Sequence, residues 1–122
     1  MKIQKASQDY LEAMLRCKEQ YGYIRSIDVA EMVGVTKASV SYSTKRLREN
    51  GYITVDESRN IHLTDAGMAI AERIYERHKL LTELLVSIGV DAGIAEKGAC
   101  LVEHDLSPET FEAIRERYSA GE

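Results

Sequence analysis

The chain has 122 residues and a formal net charge of −4, room for one domain or two small ones sharing a core, and taken whole it lacks the cationic excess of a general nucleic-acid binder. The charge is unevenly placed: residues 1–64 carry ten Lys/Arg against eight Asp/Glu (net +2), residues 65–122 six against twelve (net −6). The two cysteines, Cys17 and Cys100, have no framework spacing, and neither a signal peptide nor an apolar run of about 18 residues is visible, so a reduced cytoplasmic setting without export or membrane insertion is expected.

In chain order, Ser7 reads as the N-cap of a helix to about Tyr21, with Tyr10, Leu11, Met14 and Leu15 as its apolar stripe and Gly22 as its stop. Asp9 and Glu12 lie three apart in its first turns, where carboxylates suit the helix dipole without further purpose. Tyr23-Ile24-Arg25 predicts a short strand, after which Ser26 caps a second helix through about Val33. Gly34-Val35 makes a turn, and Thr36 caps a third helix over 37–50.

Ala30, Gly34 and Val40 stand at the offsets where a helix-turn-helix needs a small crossing residue, a turn glycine and a buried β-branched residue. On the third helix Val40, Thr44 and Leu47 face inward. Ala38, Ser41, Tyr42, Lys45 and Arg46 then face outward, flanked by Lys37 and Ser39. Small, hydroxyl, aromatic and cationic groups on one face suit base edges and phosphates in a major groove. Two β-rich runs, 52–55 and 61–64, surround the polar turn 56–60 and predict a hairpin, which after a recognition helix is a wing. Arg59 at its tip is a candidate contact to the DNA backbone or minor groove, opposed by the neighbouring charges of Asp56 and Glu57; His62 reads as a strand residue.

From Thr64-Asp65 a long helix runs to about Ile88, closed by Gly89. Ala71, Ile74, His78, Leu81, Leu85 and Ile88 recur in alternating steps of three and four, a seam that needs a partner helix. Ile70, Leu80 and Leu84 widen the apolar face beyond one partner, which predicts a homodimer through Ile70, Ile74, Leu81, Leu84, Leu85 and Ile88. His78 takes a slot where an aliphatic residue is expected; buried without a partner it costs ~1–3 kcal/mol. Asp91 caps the next helix, about 92–105, on which Cys100, Glu103 and His104 share a face, with Glu96 one turn earlier. Thiolate, carboxylate and imidazole together suit a divalent metal. Ser107-Pro108 starts a last helix, about 108–118, buried through Phe111, Ile114 and Tyr118, and 119–122 reads as a frayed tail.

With Asp9-Tyr10-Leu11-Glu12, the pattern over 26–64, Arg77-His78-Lys79-Leu80-Leu81, Ile88-Gly89-Val90-Asp91 and Glu103-His104-Asp105-Leu106-Ser107, the chain resembles the diphtheria toxin repressor family, and within it the small manganese transport regulators. The resemblance implies a mainly α fold, a winged helix-turn-helix with a short β-hairpin wing over 1–64 followed by an all-helical metal-binding and dimerisation domain over 65–122. It implies Asp9, Glu12, His78, Glu103 and His104 as ligands of the manganese branch. Cys100 stands where that branch has a glutamate and looks like the iron-responsive branch, which in turn has a methionine in place of Asp9. Thr82 replaces a frequent glutamate, and Glu96 stands where the iron branch has a second-site histidine, so Glu96 is a candidate second-site ligand. Neither the SH3-like domain of larger relatives nor the final helix of the small ones is expected after the 108–118 helix.

The resemblance further implies a cytoplasmic repressor activated by Mn²⁺ or Fe²⁺, with Zn²⁺ or Co²⁺ substituting in vitro. It would bind palindromic double-stranded DNA as a homodimer, away from the membrane, and shut off metal uptake. The physics points the same way, because carboxylates and a thiolate that repel one another in an empty site are reconciled by a divalent cation. The rival is a winged-helix regulator that no metal gates. Catalysis is not expected, since no oxyanion loop or Gly-rich pocket motif accompanies Cys100 and His104.

Overall fold

The computed structural model describes residues 5–120. Six helices and one hairpin follow in the order α1 (Lys5–Tyr21), α2 (Ser26–Val33), α3 (Lys37–Glu49), β1 (Ile53–Val55), β2 (Ile61–Leu63), α4 (Asp65–Ser87), α5 (Ala92–Val102) and α6 (Pro108–Ala120). They gather into two compact units, Met1–Arg73 and Ile74–Glu122, the division falling within α4.

In the first unit α1 packs on α2, α3 and β2, and α3 on α2 and β1. The apolar residues buried on these elements include Leu11, Met14, Ile24, Val29, Val40, Leu47, Ile53 and Ile61; full burial of one such side chain contributes about 1.5–3 kcal/mol. The helix-turn-helix is built as its spacing predicts. Ala30 and Val40 are buried, and Gly34 caps α2 at φ 80, a left-handed conformation that costs a glycine nothing. Thr36 accepts from the Ser39 amide and starts α3. β1 and β2 pair antiparallel, Ile53 opposite Leu63 and Val55 opposite Ile61.

Several element ends differ from expectation. α1 already runs from Lys5, so Ser7 lies inside it rather than at its cap. Arg25, extended and without a side-chain bond, is the N-cap of α2; Ser26 is its first helical residue. Tyr23-Ile24-Arg25 forms no strand, because its chain meets β2 through a single bond, Ile61 N–H to the Ile24 carbonyl at 2.9 Å. α5 stops at Val102, so Glu103 and His104 sit in the turn that follows instead of on the helix. α6 continues to Ala120, which makes Ser119 and Ala120 helical; the rest of the expected frayed tail, Gly121 and Glu122, lies outside the described residues.

In the second unit α6 starts as predicted, with Ser107 Oγ accepting from the Thr110 amide. Phe111 is buried, and its ring lies between the guanidiniums of Arg77 and Arg115, 5.0 and 5.2 Å from the ring centre. Arg115 also pairs with Glu76 of α4.

Gly67, buried near the start of α4, has a steric role: a Cβ there would run into the Tyr52 carbonyl oxygen. Gly67→Ala is therefore expected to destabilise the first unit by about 1–3 kcal/mol, read as a lower urea midpoint with an unchanged slope. An unchanged midpoint would show that the Tyr52 segment yields freely.

Candidate metal centre and nucleic-acid interface

His78 lies in the middle of α4, buried between the turns of Ile74 and Leu81. Its Nδ1–H donates to Glu103 Oε2 at 2.9 Å, and Cys100 Sγ is 3.8 Å from the same nitrogen. Three ligand atoms, from His78, Cys100 and Glu103, thus lie within 4.8 Å of one another. The other ring nitrogen, Nε2, faces Glu96 Oε1 at 3.7 Å. Glu103 is fully buried, at 0% exposure, and its second oxygen Oε1 makes no hydrogen bond but has His104 Nε2 at 3.4 Å. A buried carboxylate flanked by two imidazoles, a thiol and a further carboxylate is a donor set that a divalent cation fits, since the ion supplies the charge this pocket lacks.

The local chain explains the arrangement. Glu103, the C-cap of α5, keeps a helical backbone at φ −57 and ψ −30 and its N–H bonds the Ala99 carbonyl at 2.9 Å, so its side chain stays about one helical turn beyond Cys100 before the chain turns away. Thr82 spends its hydroxyl on its own helix, donating to the His78 carbonyl at 2.7 Å. Arg77, beside His78, was not singled out by the sequence reading. It is 6% exposed and donates to the carbonyls of Glu103 at 3.0 Å and Leu106 at 2.8 Å. A signal existed: Arg77 interrupts the run Ile70, Ile74, Leu81, Leu84, as His78 interrupts its neighbour.

The remaining candidates lie on α1. Asp9 is half-buried and Glu12 buried, with Arg16 3.9 Å from Glu12 Oε2 one turn on. Cys17, on the same helix, is fully buried; burial pushes its thiol up, the Asp28 charge adds to this and Arg16 opposes it, which leaves it a poor metal ligand.

Of the residues offered for dimerisation, Ile74 and Leu81 are buried within the chain, Ile70, Leu84 and Leu85 half-buried, and Ile88 exposed. Ile94, Leu101 and Val102 of α5 are also exposed, which the sequence reading missed because each is separated from the α4 seam.

On α3, Lys37, Ala38, Ser39, Ser41, Tyr42, Lys45 and Arg46 are all exposed, and Arg46 lies over the Tyr42 ring at 5.9 Å. In the wing, Asp56 closes the tip from inside. Its Oδ1 accepts from the amides of Ser58 at 2.8 Å and Asn60 at 3.0 Å, and its Oδ2 meets His62 Nε2 at 2.8 Å. Arg59, whose N–H reaches the Asp56 carbonyl, is held exposed at φ 68. The Asp56 charge that was expected to oppose an Arg59–DNA contact is thus engaged within the turn, and His62 has a role beyond that of a plain strand residue.

Residues 2–61 match the family described as "Iron dependent repressor, N-terminal DNA binding domain", and residues 64–120 the one described as "Iron dependent repressor, metal binding and dimerisation domain". The chain is 34% identical over 107 residues to the transcriptional regulator MntR of Escherichia coli O6:H1, covering 88% of this chain and 69% of that protein. A solved manganese-dependent transcriptional repressor in complex with manganese is 28% identical, with a TM-score of 0.81 over 91% of this chain and 51% of that one. The metal-dependent transcriptional regulator MtsR is 25% identical, with a TM-score of 0.84 over 93% of this chain and 53% of that one. The chain spans about half the length of these two solved proteins.

The Asp56 carboxyl is held below its ordinary 3.8, first by the His62 hydrogen bond, then by the Asn60 amide and, more weakly, by the Ser58 amide and the His62 charge, with desolvation opposing. A depressed carboxyl stabilises the fold above its ordinary value and loses that contribution as pH falls through its lower, folded midpoint. NMR titration is expected to place the Asp56 midpoint below 3.8 and to move it up toward 3.8 in His62→Ala. An unmoved midpoint would remove His62 from the wing's closure.

Proposed function

The chain belongs to the iron-dependent repressor family, whose members are metal-dependent transcriptional repressors rather than enzymes, and from that premise we propose that it is a homodimeric repressor switched by Mn²⁺ or Fe²⁺. The observation that carries this reading is the buried Glu103 carboxylate set against His78 and Cys100.

In this reading residues 1–64 read DNA and residues 65–122 bind metal and dimerise. His78, Cys100, Glu103 and His104 hold the metal, with Asp9 and Glu12 of α1 completing the ligand set and Glu96 serving a second ion. Support for Asp9 and Glu12 comes from their chemistry and their match to the manganese branch. When bound, the ion supplies two positive charges among side chains that otherwise repel one another. His78 would bind the ion through a ring nitrogen that carries no proton, so metal binding is expected to compete with protonation of the imidazole. The hard carboxylates and imidazoles favour Mn²⁺ and Fe²⁺, while the Cys100 thiolate shifts preference toward Fe²⁺ or Zn²⁺; geometry and supply then decide, because raw affinity favours Zn²⁺. Co²⁺ is a usable substitute in vitro.

For DNA, Lys45, Arg46 and Lys37 meet phosphates, and Ala38, Ser39, Ser41 and Tyr42 meet base edges, with Arg59 reaching from the wing. Two copies would join through the apolar residues left open on α4, chiefly Leu84, Leu85 and Ile88 beside Ile70, with Ile74 and Leu81 backing them. A palindromic operator is gripped only when the two recognition helices are ~34–36 Å apart. Raising the DNA-competent fraction from ~1% to ~99% requires a bias of ~5.5 kcal/mol toward that state. Repression of uptake for the same metal, in the cytoplasm, would close a feedback loop.

The test is a gel shift on a duplex selected from a random pool in the presence of Mn²⁺, repeated in Fe²⁺ and in EDTA. Metal is expected to tighten binding by about 5–150-fold. His78→Ala and Glu103→Ala should each lose that increment and keep the metal-free affinity. Equal binding in EDTA and in metal would sink the switch and favour a regulator that no metal gates.

A further inference from the structure

We propose that Arg77 is a positioning residue for the metal-binding turn: it fixes the backbone from which Glu103 and His104 project, and so sets metal affinity and coordination without touching the ion. The proposal rests on the metal-switch reading above.

The turn 103–106 links two helices. α5 ends at Val102 and α6 begins at Pro108. The bonds that the turn's own amides make, Glu103 N–H to Ala99 and Asp105 N–H to Val102, secure its entrance and leave the carbonyls of Glu103 and Leu106 to other donors. Arg77 answers both. Its Nη1 reaches the Glu103 oxygen at 3.0 Å and the Leu106 oxygen at 2.8 Å, bracketing His104 and Asp105. A charged donor just past the C-terminus of a helix also answers the negative end of that helix's dipole. The guanidinium is itself fixed, 6% exposed and seated 5.0 Å from the centre of the buried Phe111 ring, which anchors it to α6.

The neighbouring residue completes the logic. Arg77 and His78 are consecutive on α4, and both address Glu103. His78 holds the side-chain Oε2 and Arg77 the main-chain oxygen. Glu103 is thereby gripped at both ends from one helix, which orients its carboxylate before any ion arrives. Lysine would offer a compact ammonium in place of a planar fork and would not stack on Phe111 in the same way.

The experiment compares wild type, Arg77→Met and Arg77→Lys by anaerobic Mn²⁺ titration, by the visible spectrum of the Co²⁺ form, and by amide hydrogen exchange of the metal-free chain. Loss of an orienting partner behind a ligand typically weakens metal binding 10–100-fold. Arg77→Met is expected to fall in that range, to alter the Co²⁺ spectrum and to speed exchange over residues 103–107 before metal is added. Arg77→Lys should recover part of the affinity. A merely structural arginine would lower the unfolding midpoint and leave affinity and spectrum unchanged, and that result overturns the proposal. If Arg77→Met does not fold, Arg77→Lys decides alone: affinity within twofold of wild type overturns it. Wild type that binds neither Mn²⁺ nor Fe²⁺ overturns the metal reading first and this proposal with it.

Discussion

A fully buried carboxylate, Glu103, held by His78 at 2.9 Å, is the interaction on which the second unit turns. Burying an acid is costly unless its oxygens are matched, and here the matching is divided. One oxygen takes the His78 N–H; the other makes no hydrogen bond and has the His104 nitrogen at 3.4 Å. Cys100 and Glu96 then crowd the same imidazole from its two nitrogens. Such a cluster contributes little to the fold by itself, and in the proposed reading a divalent cation would offset its repulsions.

Around that carboxylate the chain spends structure to keep it in place. α4 supplies two consecutive polar residues, Arg77 and His78, and the helical backbone at the end of α5 carries Glu103 to them. In the first unit the economy is different. Apolar burial on α1, α2, α3 and the hairpin fixes α3 with its cationic and hydroxyl face outward, and Asp56 closes the wing from inside. The outward face of α3 is left open by packing, whereas the candidate metal centre is assembled from buried polar neighbours.

Much of this was legible in the residues. Periodicity marked all six helices, and turn chemistry marked Gly34, Thr36, Asp91 and Ser107, because those signals are local. His78 declared itself as a polar residue in an apolar slot. What escaped was non-local. Arg77 takes the Glu103 and Leu106 carbonyls beyond the end of α5 from 26 and 29 residues away, and no window of sequence around 92–105 contains that donor. Ser26 has the chemistry of a cap, yet Arg25 occupies the position. Asp56 looked like a charge at a loop tip; its work inside the turn follows from the particular geometry of residues 56–62, with Arg59 at positive φ.

The most direct test of the central claim is anomalous diffraction from crystals grown anaerobically with Mn²⁺ or Fe²⁺, collected at each metal's absorption edge. A peak bonded to the side chains of His78 and Glu103 is the expected result, with Cys100 in or out of the coordination sphere according to the ion. Crystals at saturating metal that show no peak there, with the His78–Glu103 hydrogen bond intact, would contradict it.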